Sequence, residues 1–344
     1  MKFRITSAVA SALIISIPAW AQQSAQPDPQ MKAVLDKLAS LNGKPIPELT
    51  AEEARKQPSP ADAVAALMKD QGKKPEEVGN IDNNTEIVLS GGQKLNTRIY
   101  TPKGDGPFPV ILYIHGGGWV LADLDTYDGS ARALCNATNA VIVSVEYRHA
   151  PEHKFPAAHL DTFGAYQWLL QNAEKIKGDP RRIALVGESA GGNMACAISM
   201  MAKEKGIQLP VHQVLVYPVA DTSLSTPSSI ENAAAKPLNV PTLKWFFSNT
   251  LAKPEDAKNP RLNLVAAGNE LKGLPGTTII TAQIDPLRSE GEALAKALEG
   301  AGVKVNFKNY DGVTHEFFGM GGVVDKAKEA VALVATDLKT AFGS

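Results

Sequence analysis

Cysteine is nearly absent from the 344-residue chain: only Cys135 and Cys196 occur, too few to staple a disulfide scaffold. Each falls on a stretch read as helix. The two helices are expected on opposite faces of a sheet, which predicts two buried free thiols. There is no C-x-x-C and no H-E-x-x-H, so no pattern asks for a structural or catalytic metal, and none asks for a cofactor. Positive charge is not in excess either, with 35 Lys and Arg against 36 Asp and Glu and a net charge of −1. No basic patch points to nucleic acid or anionic lipid as partner. Internal repeats are missing too.

A membrane-spanning run is also missing. Residues 8–17 are apolar apart from two serines, too short for a bilayer. Behind Lys2 and Arg4, and ahead of Ala19-Trp20-Ala21, they read as a secretory signal peptide cleaved after Ala21. The expectation is a periplasmic or secreted protein. Cleavage removes two basic residues and no acidic one, taking the net charge from −1 to −3.

What is present is a hydrophobic fraction of 44%, enough for a sizeable core. Residues 22–344 read as one α/β domain. Residues 110–114 and 140–145 are continuous apolar runs, as expected of strands buried on both faces. Residues 183–186, 214–219 and 277–282 repeat the pattern. Helical stretches lie between the runs, at 157–170 and 291–299, with a last helix at 326–341. Alternating strands and helices predict a mostly parallel, doubly wound sheet with helices on both faces. Residues 303–308 alternate apolar and polar, as a strand near the sheet edge would. Pairing through that edge is a route to a homodimer, although Lys304 and Lys308 oppose it, so monomer and dimer both stay open. A hairpin is expected at residues 87–95. Two stretches do not fit the alternation. Residues 28–72 carry apolar stripes (Met31, Val34, Leu35, Leu38; Ala63, Val64, Leu67, Met68) that favour docked helices over a disordered leader. Residues 221–274 are too long for an ordinary connection and read as an insertion with its own role.

The chain is organised around Gly187-Glu188-Ser189-Ala190-Gly191, set between an apolar strand and a helix-favouring stretch. A serine lifted clear of the sheet on a strained turn crowds the backbone on either side, and Gly187 and Gly191 have no side chain to clash. The helix that follows aims its free N–H groups at the same point. A second feature is His115-Gly116-Gly117-Gly118-Trp119, directly after a core strand. Three glycines there predict close backbone approach, with N–H groups available to a developing alkoxide. Serine needs a base. With the base last in chain order, only His212 and His315 of the six histidines follow Ser189, and His212 falls at the wrong end of its strand. His315 is therefore the expected base. Asp285, at the carboxyl end of a strand, is favoured as the acid; Asp221, in the equivalent place one strand earlier, is its rival.

These motifs, with Tyr147-Arg148-His149-Ala150-Pro151-Glu152 and Asp285-Pro286-Leu287-Arg288, resemble the hormone-sensitive-lipase-like esterases of the α/β-hydrolase superfamily. The resemblance implies Ser189, Asp285 and His315 as triad and the N–H groups of Gly117, Gly118 and Ala190 as oxyanion hole. It also implies a helical cap made from about 28–72 and about 221–274, and short- to medium-chain esters as small-molecule substrates. Four positions depart from the common pattern: His149, Glu188, Ser289 and Glu316. Glu316, beside the base, is expected to raise the pKa of His315. Trp119, Trp245, Phe246, Phe247 and Met320 are candidate pocket residues. An amidase, peptidase or deacetylase would use the same triad, and a non-catalytic binding protein would use the same fold, so both stay as alternatives.

Overall fold

A computed structural model describes residues 25–343. The expected signal peptide, residues 1–21, lies outside them. Nine strands form the sheet: β1 (Asn80–Asp82), β2 (Glu86–Val88), β3 (Lys94–Thr101), β4 (Phe108–Ile114), β5 (Val141–Val145), β6 (Gly178–Glu188), β7 (Gln213–Val216), β8 (Thr277–Ile284) and β9 (Val305–Thr314). Their order is β1-β3-β5-β4-β6-β7-β8-β9, with β2 paired to β3. The partners of β3 run antiparallel to it, and every pair from β5 to β9 is parallel. The expected hairpin is β2 with β3, Ile87 opposite Leu95.

Ten α-helices among the described residues accompany the strands: α1 (Pro29–Ser40), α2 (Ala51–Ala54), α3 (Pro60–Asp70), α4 (Asp128–Thr138), α5 (Ala157–Asn172), α6 (Ala190–Glu204), α7 (Pro227–Glu231), α8 (Val240–Thr250), α9 (Arg288–Gly300) and α10 (Asp325–Phe342). The period of two along β4 decides how they are shared out. Val110, Leu112 and Ile114 point into a core with α5, α6 and α9. Ile111 and Tyr113 point into the other, with α4, α10, α1 and α3. All seven residues of β4 are buried, as a strand covered on both faces must be. Cys135 and Cys196 sit in different cores, both buried and free.

Two strands differ from the sequence reading. β7 stops at Val216 because Tyr217 turns to φ 36° and Pro218 has no N–H for the ladder. The edge strand begins at Val305 and runs on to Thr314, so it delivers its last residue directly beside His315.

Residues 28–72 are docked. Asp28 caps α1 by accepting the Met31 N–H at 2.8 Å, and Pro29 occupies the first turn. Ser59 and Asp62 form a capping box at α3. Met31, Val34 and Ala63 are buried. The same segment is tied to the end of β9: the Asp28 N–H donates to Gly312 O at 2.8 Å, Lys326 pairs with Asp28 at 2.9 Å, and Thr314 Oγ1 lies 3.4 Å from Met31 Sδ. Residues 221–274 carry α7, α8 and three 3-10 turns. Trp245 of α8 donates its indole N–H to Leu49 O at 2.9 Å, joining the two segments.

Candidate active site

β6, β8 and β9 end at the same end of the sheet, with β7 between β6 and β8, and each delivers one of the expected residues. Ser189 lies between the last residue of β6 and the first of α6, at φ 57° and ψ −118°, a backbone that residues other than glycine rarely adopt. The crowding expected around it is real. A Cβ on Gly187 would come within 2.1 Å of Gly191 O, and one on Gly191 within 2.0 Å of Ile114 O. The strained turn is held by the Ser189 N–H donating to Val216 O at 2.9 Å, and by Ser189 O accepting from Val219 and Asn193 at 3.2 and 3.1 Å. Asn193, itself buried, donates to Val219 O and Leu262 O.

His315 Nε2 stands 3.0 Å from Ser189 Oγ, and its Nδ1 stands 2.7 Å from Asp285 Oδ2. Asp285 is fully buried, and its other oxygen accepts the Leu287 N–H at 2.8 Å. With Nδ1–H donated to Asp285, the Nε2 lone pair faces the serine hydroxyl and can take its proton. Asp221 points elsewhere. Its carboxylate accepts the Ser223 N–H at 2.6 Å, while its own N–H goes to Glu290. Glu290 is buried and accepts from both Ala220 and Asp221 at 2.6 Å; burial raises its pKa well above the ordinary carboxylate range. His212 is bonded to Thr278 at 2.8 Å, away from this site.

Gly117 and Gly118 take φ of 88° and 58°, in the left-handed region, so the loop after β4 folds back towards Ser189. Its start is fixed by Tyr147, whose hydroxyl donates to Gly116 O at 2.7 Å. Ala190 opens α6, where the first N–H groups of a helix have no partner within it. His115 and Gly116 lead into this loop, and a Cβ on Gly116 would lie 3.1 Å from the Ser189 Cβ.

A group of acids and tyrosines lies under the site, of which only Glu316 beside His315 was expected to act on the base. Glu188 is fully buried and accepts from the hydroxyls of Tyr113 and Tyr217. Burial, with Glu316 nearby, pushes its carboxyl up to about 7. Tyr127 donates to Glu316 at 2.8 Å, and Glu316 Oε1 lies 3.7 Å from His315 Nε2. Burial opposes a charged His315, but Asp285, then Glu316 and Glu188, outweigh it and hold the imidazole above its ordinary pKa. Glu316 itself sits at φ 72°, a conformation in which a side chain is strained. The sequence hint was a tyrosine at the end of each of two core strands, where a hydroxyl must find a partner.

Ser189 and His315 open on a cavity of about 910 Å³, lined on one side by residues of 28–72 and on another by Leu238, Phe246 and Phe247. Trp119 also lines it. Two of the expected pocket residues do not. Met320 is buried in the core shared by α4 and α10, since the 3-10 turn carrying it packs under the sheet's opposite face. Trp245 turns away along α8 to reach Leu49. No helix among the described residues is long and apolar enough to cross a membrane.

Parallel strands ending together under a serine on a strained turn define a class, and the comparisons agree. A family model described as "alpha/beta hydrolase fold" matches residues 111–319. The chain belongs to this family, in its hormone-sensitive-lipase-like branch, and is a hydrolase. It is 33% identical over 299 residues to an ethyl acetate hydrolase of Pseudomonas putida, covering 86% of this chain and 92% of that protein. It is 38% identical over 259 residues to carboxylesterase NlhH of Mycobacterium tuberculosis, covering 74% of this chain and 81% of that protein. The solved hyperthermophilic esterase of Pyrobaculum calidifontis matches with a TM-score of 0.82 at 33% identity, over 92% of this chain and 98% of that one.

Proposed function

We propose that the chain hydrolyses carboxylic esters by two-step acyl transfer through Ser189. The observation that carries this reading is the unbroken line from Ser189 Oγ to His315 at 3.0 Å and on to Asp285 at 2.7 Å, facing a cavity. Ser189 Oγ bonds to the ester carbonyl carbon while His315 Nε2 takes its proton, and the carbonyl electron pair moves onto oxygen. The N–H groups of Gly117, Gly118 and Ala190 are assigned to that oxyanion, each donor lowering the barrier by about 3 kcal/mol. The tetrahedral species collapses, the carbon–oxygen bond to the alcohol breaks, and His315 returns the proton to the leaving oxygen. Water then attacks the acyl-enzyme along the same route. Asp285 stays ionised, holds the working tautomer and stabilises the imidazolium.

A preference for short acyl chains is supported by the relative named as an ethyl acetate hydrolase. The assignment of residues 28–72 and 221–274 as a cap is supported by their both lining the cavity. Export through residues 1–21 rests on their composition, and the mature chain is expected to begin at Gln22; N-terminal sequencing of the protein from the native host tests this.

The deciding experiment is hydrolysis of p-nitrophenyl esters from acetate to palmitate, with matching anilides, by the wild type and Ser189→Ala. Turnover of short esters that vanishes in the variant is expected. Activity that survives the substitution would overturn the assignment of Ser189, and turnover of anilides alone would replace ester with amide chemistry.

A further inference from the structure

The chain has no C-x-x-C and no H-E-x-x-H, yet the fold assembles a set of metal ligands from two neighbouring strand ends. β4 and β5 pair in parallel, so both run out at the same edge of the sheet. β4 leads into His115, and β5 leads into Glu146-Tyr147-Arg148-His149. One ligand atom each from His115, Glu146 and His149 lies within 4.8 Å of the others. We propose that these three residues form a binding site for a divalent transition-metal ion of zinc type, next to the glycine loop of the active site.

His115 is fully buried, and the Nε2 atoms of both His115 and His149 are buried with no hydrogen-bond partner among the described residues. Buried imidazole nitrogens ordinarily find a partner, and two left without one in neighbouring residues are costly unless something binds there. His115 Nδ1 lies 3.0 Å from Gly116 O, a pure acceptor, so the proton is on Nδ1 and the Nε2 lone pair is free. A metal-ligating histidine is oriented in this way, by donating its other N–H to a backbone carbonyl.

Glu146 Oε1 and His149 Nε2 are 3.6 Å apart. Tetrahedral zinc with bonds of about 2.0–2.2 Å places its ligands roughly 3.3 Å apart, so this pair needs little movement. The second Glu146 oxygen accepts the Leu124 N–H at 3.2 Å, which orients the carboxylate. Asp123 adds a negative field that reaches all three residues. Arg55, whose charge also reaches His149, is held by Glu152 at 2.7 and 2.9 Å. Two imidazoles and one carboxylate suit zinc, cobalt or nickel; calcium and magnesium prefer all-oxygen sets. Glu146 and His149 line the cavity, so a fourth position would be open to water from that side. An ion here would tie the start of the glycine loop to the segment after β5.

The test uses untagged protein stripped with chelator and titrated with Co²⁺, then with Zn²⁺. The expected result is one Co²⁺ per chain with the intense visible absorption of a four- or five-coordinate site, displaced by Zn²⁺. His149→Leu and Glu146→Gln, each close in size to the residue replaced, should weaken Co²⁺ binding by at least about 100-fold while keeping the metal-free melting temperature. Zn²⁺ should raise the melting temperature of the wild type and leave both variants unmoved. Absence of binding, binding without the absorption band, or equal affinity in the variants would overturn the proposal. Should His149→Leu fail to fold, the near-isosteric Glu146→Gln decides alone. Every readout is binding or stability, so none depends on the ester-hydrolase reading.

Discussion

Replacing Glu316 with glutamine removes one negative charge 3.7 Å from His315 Nε2 and little else. Glutamine keeps the size of the side chain and still accepts the Tyr127 hydroxyl. Two unit charges at this separation attract by about 1 kcal/mol in water and about 4 kcal/mol at an effective dielectric near 20. Each 1.4 kcal/mol is about a tenfold change in the protonation equilibrium, so losing the carboxylate should lower the pKa of His315. The direction follows from what the charge does. Asp285, Glu316 and Glu188 favour the imidazolium, which holds the pKa of His315 above its ordinary value. Ser189 needs the neutral imidazole, so the acidic limb of kcat/KM tracks that pKa and should move to lower pH in the variant. Asp285 is a poorer probe because its loss also disturbs the tautomer. The new amide can donate to Nε2 in competition with Ser189, but that lowers the plateau at every pH and leaves the limb's position readable. A limb that does not move, measured with a p-nitrophenyl ester across the acidic range, would refute the idea that the Glu316 charge acts on the base.

Asp285→Asn should cut kcat by about 10⁴-fold, whereas Asp221→Asn should leave the rate within a few-fold, and steady-state kinetics on both variants separates the rivals. Gly191→Ala places a methyl group 2.0 Å from Ile114 O, where backbone on both sides must shift. A loss exceeding about 3 kcal/mol is expected in urea unfolding, with activity falling in parallel. Arg55 holds the Glu152 carboxyl down to about 2. A lowered folded-state pKa stabilises above the unfolded value and is lost as pH falls, so this pair should weaken between about pH 4.5 and 2. Glu152 is half exposed, which limits the effect to under about 1 kcal/mol; wild type and Glu152→Gln should converge in melting temperature at the acid end of that window.

The reach of sequence reasoning can be judged from single residues. Apolar runs such as residues 110–114 locate central strands because a strand covered on both faces leaves no polar option. Histidine order along the chain leads to the one imidazole that lies at Ser189. Distinguishing Asp285 from Asp221 was harder: both stand at the carboxyl end of a strand. What separates them in space is that the buried carboxylate of Glu290, 69 residues away, takes the Asp221 N–H and anchors it in its own turn. The tyrosines around Glu188 and Glu316 bond to residues 75, 29 and 189 positions distant, beyond any local pattern. Met320 and Trp245 show the limit for pocket residues. Large apolar side chains fill cores and line cavities alike, and only the direction of one helix or turn separates the two. The His115, Glu146 and His149 cluster escaped for a related reason, since His115 follows β4 and joins Glu146 and His149 after β5 only through the pairing of those strands.

The tie between Asp28, Met31 and the end of β9 has a practical side. The Asp28 N–H, its carboxylate and the Met31 sulfur all hold residues 312–326, the stretch in which His315 sits. A purification handle fused immediately ahead of residue 28 would therefore load the histidine loop through its own anchor, while one placed after Gly343 would hang from the far end of α10. Expression designs should keep the three residues before Asp28 intact, and a fusion partner belongs at the carboxyl terminus.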